Sequence, residues 1–160
     1  SSGKVVCTGT RRRVDAILAC YRYVHYLRMK LGINASVYDL TVQNIVSSIN
    51  INKYIDLDKF AELNQLECNY DPSLFPGAIW RSNQQQNSMV VLVFNSGRMV
   101  ITGGKQRSDI DETYDLILPL VQQALKQDEN DADKLTPKRQ SNVDEIMHKL
   151  VYDGIIAQID

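Results

Sequence analysis

The sequence predicts an α+β fold: a curved antiparallel β-sheet with helices on its convex face. Three observations carry that expectation. From Asp71 to Lys105, apolar segments alternate with turn residues in the manner of three antiparallel strands. Two long helical patterns, Ala16, Cys20, Tyr23, Val24, Leu27, Leu31 and Ile110, Tyr114, Ile117, Leu118, Val121, Leu125, share the spacing of an amphipathic helix lying on a sheet. Tyr38 to Ile49 is rich in β-branched residues and reads as a further strand. Long helices on one face leave the other open, and an apolar open face fringed by Arg and Lys requires a partner.

Taken in order, Ser1 to Thr10 begins inside a hairpin, its first residues already turn residues. Ser2, Gly3, Lys4, Val6, Thr8 and Gly9 recur as Ser96, Gly97, Arg98, Val100, Thr102 and Gly103, all at an offset of 94, and the two helical patterns keep that offset. This is an internal repeat. The chain is therefore expected to hold the back of a first repeat over residues 1–37 and a complete second repeat over 38–126. Residues 127–160 are expected to form a charged linker and an amphipathic C-terminal helix.

Gly32 ends the first helix. In the strand that follows, Leu40, Val42, Asn44, Val46 and Ser48 fall on one face, with Asn44 where a core would hold an aliphatic residue. Asp56 to Leu66 is a short helix capped by Asp56, its buried side formed by Leu57, Phe60, Ala61 and Leu63. Glu67 to Pro72 leads as a strand into the Leu74-Phe75-Pro76-Gly77 loop, where Pro76 lacks an N–H and Gly77 frees the backbone. An aromatic ring at such a strand end points outward.

Ser82 to Ser88 is a hairpin connection, Met89 to Phe94 and Arg98 to Thr102 are the next strands, and Gly103-Gly104 breaks the last. Phe94 stands immediately before the turn Asn95-Ser96-Gly97, so its ring can sit beside that of Phe75 and make a wedge. Beyond the second long helix, Lys126 to Arg139 is charged and without periodicity. A helix starting at Ser141 carries Val143, Ile146, Met147, Leu150 and Val151 on one face.

The chain has 160 residues, 44% hydrophobic and 23% charged, and can bury a core. Its net charge of −1 hides an asymmetry: residues 1–38 carry +6, residues 39–127 carry −3 and residues 128–160 carry −4. A basic front suits a nucleic-acid or acidic-protein partner, whereas attraction to DNA by charge alone would be modest. Apolar runs such as Met89 to Phe94 are too short to cross a bilayer, so no membrane association is expected.

Cys7, Cys20 and Cys68 fit neither a disulfide framework nor a paired zinc site. The Gly103-Gly104-Lys105-Gln106 run lacks both the first glycine and the hydroxyl of a phosphate loop. His25 and His148 are isolated. No enzyme chemistry, metal or cofactor is expected.

The stretch around the two rings keeps Tyr70, Asp71, Pro72, Leu74, Phe75, Pro76, Gly77, Ile79, Arg81, Phe94, Ser96, Gly97, Val100, Thr102 and Gly103. On these residues the chain resembles the TATA-box-binding protein family, the type case of minor-groove kinking by inserted apolar side chains, so the mechanism comes with the resemblance. The resemblance implies that the sheet is a saddle, with the first of its two repeats truncated, and that the protein is a nuclear transcription initiation factor that binds double-stranded A·T-rich DNA and nucleates assembly with general transcription factors and polymerase-associated factors.

It implies that Asn44 and Val46 meet base edges, and that Leu92, Val100 and Thr102, with Val6 and Thr8 in the first half, give van der Waals contact. Phe75, beside Pro76, and Phe94 would insert at a base step. Arg81, Arg98 and Lys105, with Lys4 and Arg11, would neutralise phosphates. Asp71, Ser73 and Leu74 would form a loop for a partner protein, Ser73 replacing the family's usual second acid. Two alternatives stand beside this reading: a scaffold that assembles proteins with little DNA bending, and a homodimer through an exposed strand edge.

Overall fold

A computed structural model describes residues 3–82, 88–126 and 155–159. The described residues fall into two compact units, one within Ser1–Asn44 and Met147–Asp160, the other within Ile45–Ile146. The division lies inside the segment expected as one strand. The polar connection at 83–87, the linker after Lys126 and the helix starting at Ser141 lie outside the described residues.

In the first unit, β1 (Lys4–Cys7) leads to α1 (Arg13–Leu31) and β2 (Val37–Thr41). The N-terminus of α1 carries no side-chain cap at Arg12, whose guanidinium instead meets Asp15 at 2.8 Å. That exposed contact holds the Asp15 carboxyl below the usual carboxylate range through a side-chain hydrogen bond. Gly32 ends the helix at φ 65°, a left-handed turn whose N–H donates to the Leu27 carbonyl. Ala16, Cys20 and Val24 face inward, and Val24 and Ala35 form a small core with Val5, Leu27 and Val37. Tyr23 and Leu31, expected on the buried side of α1, are exposed, because no described strand extends the sheet beneath them.

Past the helix expected from Ser141, which lies outside the described residues, the C-terminal segment holds an element that sequence reasoning did not predict. Ile155–Ile159 is a strand, β8, lying between β1 and β2 and antiparallel to both. Its Ile-Ile-Ala-Gln-Ile sequence follows Gly154 and carries two adjacent β-branched residues, which suit a pleated surface better than a helix end.

The second unit holds β3 (Ile45–Asn50), α2 (Leu57–Leu63), β4 (Cys68–Asn69), β5 (Ala78–Arg81), β6 (Val90–Val93), β7 (Arg98–Gly104) and α3 (Arg107–Gln123). Its strands form an antiparallel sheet in the order β3-β7-β6-β5-β4. Alternation sends Ala78, Trp80, Val91, Val93, Met99 and Ile101 to one face, where they pack with Phe60 of α2 and Ile110, Ile117 and Val121 of α3. This contiguous core is the chief source of the unit's stability. Asp56 caps α2 by accepting the Lys59 N–H at 3.1 Å. Leu63, expected in the core, is 52% exposed, and Asn64 lies buried, its side-chain amide donating to the Phe60 carbonyl.

The strand expected from Tyr38 to Ile49 is broken. Asp39 has φ 50° and the β2–β8 register shifts between Tyr38 and Leu40, while Val42–Asn44 belong to neither strand. β2 pairs with β8 and β3 with β7, so the two halves satisfy different ladders. Gly103-Gly104, expected to break the last strand, instead belongs to it. At Gly103, φ is 105° and an added Cβ would stand 2.7 Å from the Ser88 carbonyl oxygen, so only glycine lets these backbones approach. The starts of β1 and β7, and of α1 and α3, are both 94 residues apart, the offset seen in the sequence.

Candidate nucleic-acid interface

The face of the five-stranded sheet opposite α2 and α3 follows from its register. One row runs Ile79, Leu92, Val100, Ser48 across β5, β6, β7 and β3. The neighbouring row runs Arg81, Val90, Thr102. On the other side Arg98 pairs with Asn50. Leu92, Val100, Thr102, Arg81 and Arg98 therefore share this face, as expected. Val46 lies two residues before Ser48, at the bulge between Ile45 and Ser47, and is half-buried. Asn44 stands apart from the strand: it precedes β3 in the Val42–Asn44 segment, which belongs to neither β2 nor β3, so the strand break removes the alternation that put it on one face with Val46.

The centre of this face is not open. Val100 is 0% exposed, Leu92 5% and Phe94 1%, although all three are absent from the helix-side core. Thr102 and Arg98 are half-buried, while Arg81 and Lys105 are exposed. Apolar and cationic residues thus share this face, and the apolar ones at its middle are buried.

The wedge is assembled by two turns. In the first, the Asp71 carboxylate accepts the Ser73 hydroxyl at 2.6 Å and the Ser73 N–H at 2.9 Å, while its carbonyl accepts the N–H groups of Leu74 and Phe75. The Ser73 hydroxyl is the main reason the Asp71 carboxyl is held below its usual range. This turn leaves Leu74 83% exposed at its tip and brings Phe75 back toward the sheet. In the second, Phe94 donates to the Arg98 carbonyl at 2.9 Å and Gly97, at φ 82°, donates to the Phe94 carbonyl at 3.0 Å.

The two rings meet with centroids 5.8 Å apart and planes tilted by 59°, within the favourable range for an aromatic pair. Gly77 makes this possible: a Cβ there would lie 2.9 Å from the Cε1 atoms of both Phe75 and Phe94. Phe75 and Pro76 are half-buried, so the outward ring is Phe75 and the inner one Phe94. Lys105 sits where β7 passes into α3, and its backbone N–H, with that of Gln106, donates to one Asp109 carboxylate oxygen at 2.8 and 3.0 Å.

In the first unit, Lys4 and Val6 are exposed, with Val6 52% exposed, while Val5 packs toward α1. Thr8 is half-buried just past β1, and Arg11 is exposed before α1. Lys4, Val6 and Thr8 thus alternate with Val5 as Arg98, Val100 and Thr102 alternate with Met99 and Ile101. Ser48 shares the face on which the alternation from Val46 put it, but two further residues there, Ile79 and Asn50, were missed by sequence reasoning. Period-two counting back from Arg81 would have found Ile79, and counting on from Ser48 would have found Asn50. Among the described residues, no three His, Cys, Asp or Glu side chains gather as a metal-binding group, and no helix is long and apolar enough to cross a membrane.

An antiparallel sheet covered on one face by helices, with paired rings at the strand ends of the other, places the chain in a narrow class of α+β proteins. The family profile described as "Transcription factor TFIID (or TATA-binding protein, TBP)" matches residues 39–124. The TATA-box-binding protein of Acetabularia peniculus is 38% identical over 125 residues, covering 78% of this chain and 64% of its own length. That of Acanthamoeba castellanii is 39% identical over 121 residues, covering 76% and 46%. The human TATA box-binding protein-like 2 is 38% identical over 121 residues, covering 76% and 34%. The solved structure of Methanococcus jannaschii TBP superposes with a TM-score of 0.62 at 29% identity, covering 74% of this chain and 68% of that one. The chain belongs to the TATA-binding protein family. It spans between about a third and two thirds of the length of these curated relatives.

Proposed function

We propose that the protein is a transcription initiation factor that binds the minor groove of A·T-rich duplex DNA in the nucleus, kinks it with its ring pair, and nucleates assembly of the initiation machinery. The observation that carries this reading is the Phe75–Phe94 pair beside the Leu92–Val100 row, rimmed by Arg81 and Arg98. A·T pairs offer only acceptors in the minor groove, so an apolar sheet selects them by rejecting the exocyclic amine of guanine. Insertion of Phe75 costs roughly a few kcal/mol of unstacking, offset by the larger contact of bent DNA. In the second unit Arg81, Arg98 and Lys105 pair with phosphates; in the first, Lys4 and Arg11 do the same and Val6 and Thr8 give apolar contact. Asn44 and Val46 lie at the approach to β3, where they would reach base edges. The exposed turn of Asp71, Ser73 and Leu74 would dock a general transcription factor.

A second reading is favoured by one observation. Leu92, Phe94 and Val100 are buried, so the face must be uncovered before a groove can reach it. A protein that keeps it covered would serve as a TBP-like interaction scaffold. Bending of an end-labelled TATA duplex, read by energy transfer at two salt concentrations, separates the two. Phe75→Ala is the cleaner variant, since Phe94 is fully buried and its truncation would cost about 3–5 kcal/mol of stability. The expected result is a bend that Phe75→Ala abolishes. Binding without bending, lost at higher salt and indifferent to sequence, would leave phosphate attraction only and support the scaffold.

A further inference from the structure

β8 has a counterpart in the second unit. Against β1 it places Gln158, Ala157, Ile156 and Ile155 opposite Lys4, Val5, Val6 and Cys7. Against β7, β3 places Asn50, Ile49, Ser48 and Ser47 opposite Arg98, Met99, Val100 and Ile101. The offset of 94 carries Lys4 onto Arg98, so residue for residue β8 stands beside β1 as β3 stands beside β7. The direction is the same, and of the five aligned positions the last two agree in kind: Gln158-Ile159 against Asn50-Ile51, an amide followed by isoleucine. β6 also runs antiparallel to β7, but it carries no amide at the corresponding place.

The second edge of β8 is paired as well. Val37, Tyr38, Leu40 and Thr41 of β2 face Ile159, Gln158, Ala157 and Ile156. A strand bonded on both edges is the centre of its sheet, and removing it would leave β1 and β2 each with an unpaired row of N–H and C=O groups. We propose that β1 and β2 form a strand-accepting slot, and that the C-terminal segment Ile155–Ile159 fills it from within the same chain in the place β3 takes beside β7. The slot takes an extended segment by its main chain, in the manner of β-strand addition. An occupant on the same chain competes at an effective concentration on the order of mM, which excludes a second copy's segment at micromolar protein.

This inference is independent of DNA binding and is tested without it. Cys7 is the register partner of Ile155, and antiparallel partners have Cα separations of about 4.5–5.5 Å, within disulfide range. In an Ile155→Cys variant made with Cys20→Ala, since the Cys20 thiol neighbours Cys7, mild oxidation at micromolar concentration should link Cys7 to position 155 within a monomer. Peptide mapping reads that link. A covalent dimer would overturn the proposal by showing that the strand is donated between copies, and a free thiol at position 155 would overturn it by showing that the slot is empty.

Amide exchange of the unmodified full chain gives the second reading. Slow exchange across Val5–Cys7 and Val37–Thr41 is expected, becoming fast when Ile156→Pro removes a ladder N–H, while β5, β6 and β7 keep their protection. Unchanged exchange in β1 and β2 would overturn the proposal. The cross-link needs the strand in place and so decides the matter even where the proline variant fails to fold.

Discussion

The two units carry the same local signals and bury very different amounts of them. β1 with α1, and β7 with α3, begin 94 residues apart and alternate alike. Yet α3 lies on a five-stranded sheet and buries Ile110, Ile117 and Val121, with Leu118 and, just past its end, Leu125 half-buried, whereas α1 buries Ala16, Cys20 and Val24 and leaves the matching Tyr23 and Leu31 exposed. Helical periodicity is a property of the segment; burial is a property of the number of strands beneath it. Among the described residues three strands underlie α1 and five underlie α3, and the narrower sheet covers less of the same apolar stripe.

The largest expected effect that probes this contrast is in the cores. Ile101→Ala, at a site with 0% exposure in the second unit, should cost about 2–5 kcal/mol, and Val24→Ala in the first unit roughly half as much. Urea unfolding followed by Trp80 fluorescence reads the former, and amide exchange along α1 reads the latter. Equal costs would break the comparison.

The glycines related by the same offset give a smaller difference. Gly9 and Gly103 are both left-handed, at φ 79° and 105°, but an added Cβ at Gly9 meets nothing within 4 Å while at Gly103 it meets the Ser88 backbone. Each alanine substitution should cost roughly 1–2 kcal/mol of backbone strain. Gly103→Ala should cost about 1–3 kcal/mol more through overpacking. Thermal unfolding of the two variants side by side measures the gap, and an equal loss would show that β7 can shift away from Ser88.

The smallest effect is in the thiols. Burial pushes Cys68 up from 9.0 to about 11, and burial followed by the neighbouring Cys7 thiol raises Cys20. A raised thiol pKa in the folded state means that folding holds the proton more tightly. The associated stability is complete below pH 9 and is lost as pH rises toward 11. Native alkylation of Cys68 should therefore become fast only near pH 11, and in urea near pH 9. Equal pH profiles in the two states would remove burial as the cause.

Much of the second unit was legible from period-two alternation and turn residues. Val91, Val93, Met99 and Ile101 had to share a face, and Leu92, Val100 and Thr102 the other, because both sides of the unit's strands are marked by apolar residues and bounded by Gly or Pro. The ring pair was legible too, since Phe75 and Phe94 each stand at a strand end beside a turn. The break at Val42–Asn44 was not. Its β-branched run reads continuously, and only competition between two ladders, β8 for one half and β3's partner β7 for the other, divides it. β8 itself was hidden because five residues with two adjacent isoleucines carry too short a pattern to distinguish strand from helix. The covering of Leu92 and Val100 was equally invisible: alternation tells which way a side chain points, not whether anything lies over it.

The contact between Gly77 and both rings has a consequence for how such sequences can drift. With Cε1 atoms of Phe75 and Phe94 each 2.9 Å from where a Cβ would be, the choices at positions 75, 77 and 94 are not independent. A lineage that keeps both rings where they are cannot place a Cβ at 77 without displacing one of them, whereas one that first exchanges a ring for a smaller side chain opens that position to alanine or serine. Substitution at the glycine would then be a lasting historical mark that the wedge had already been abandoned.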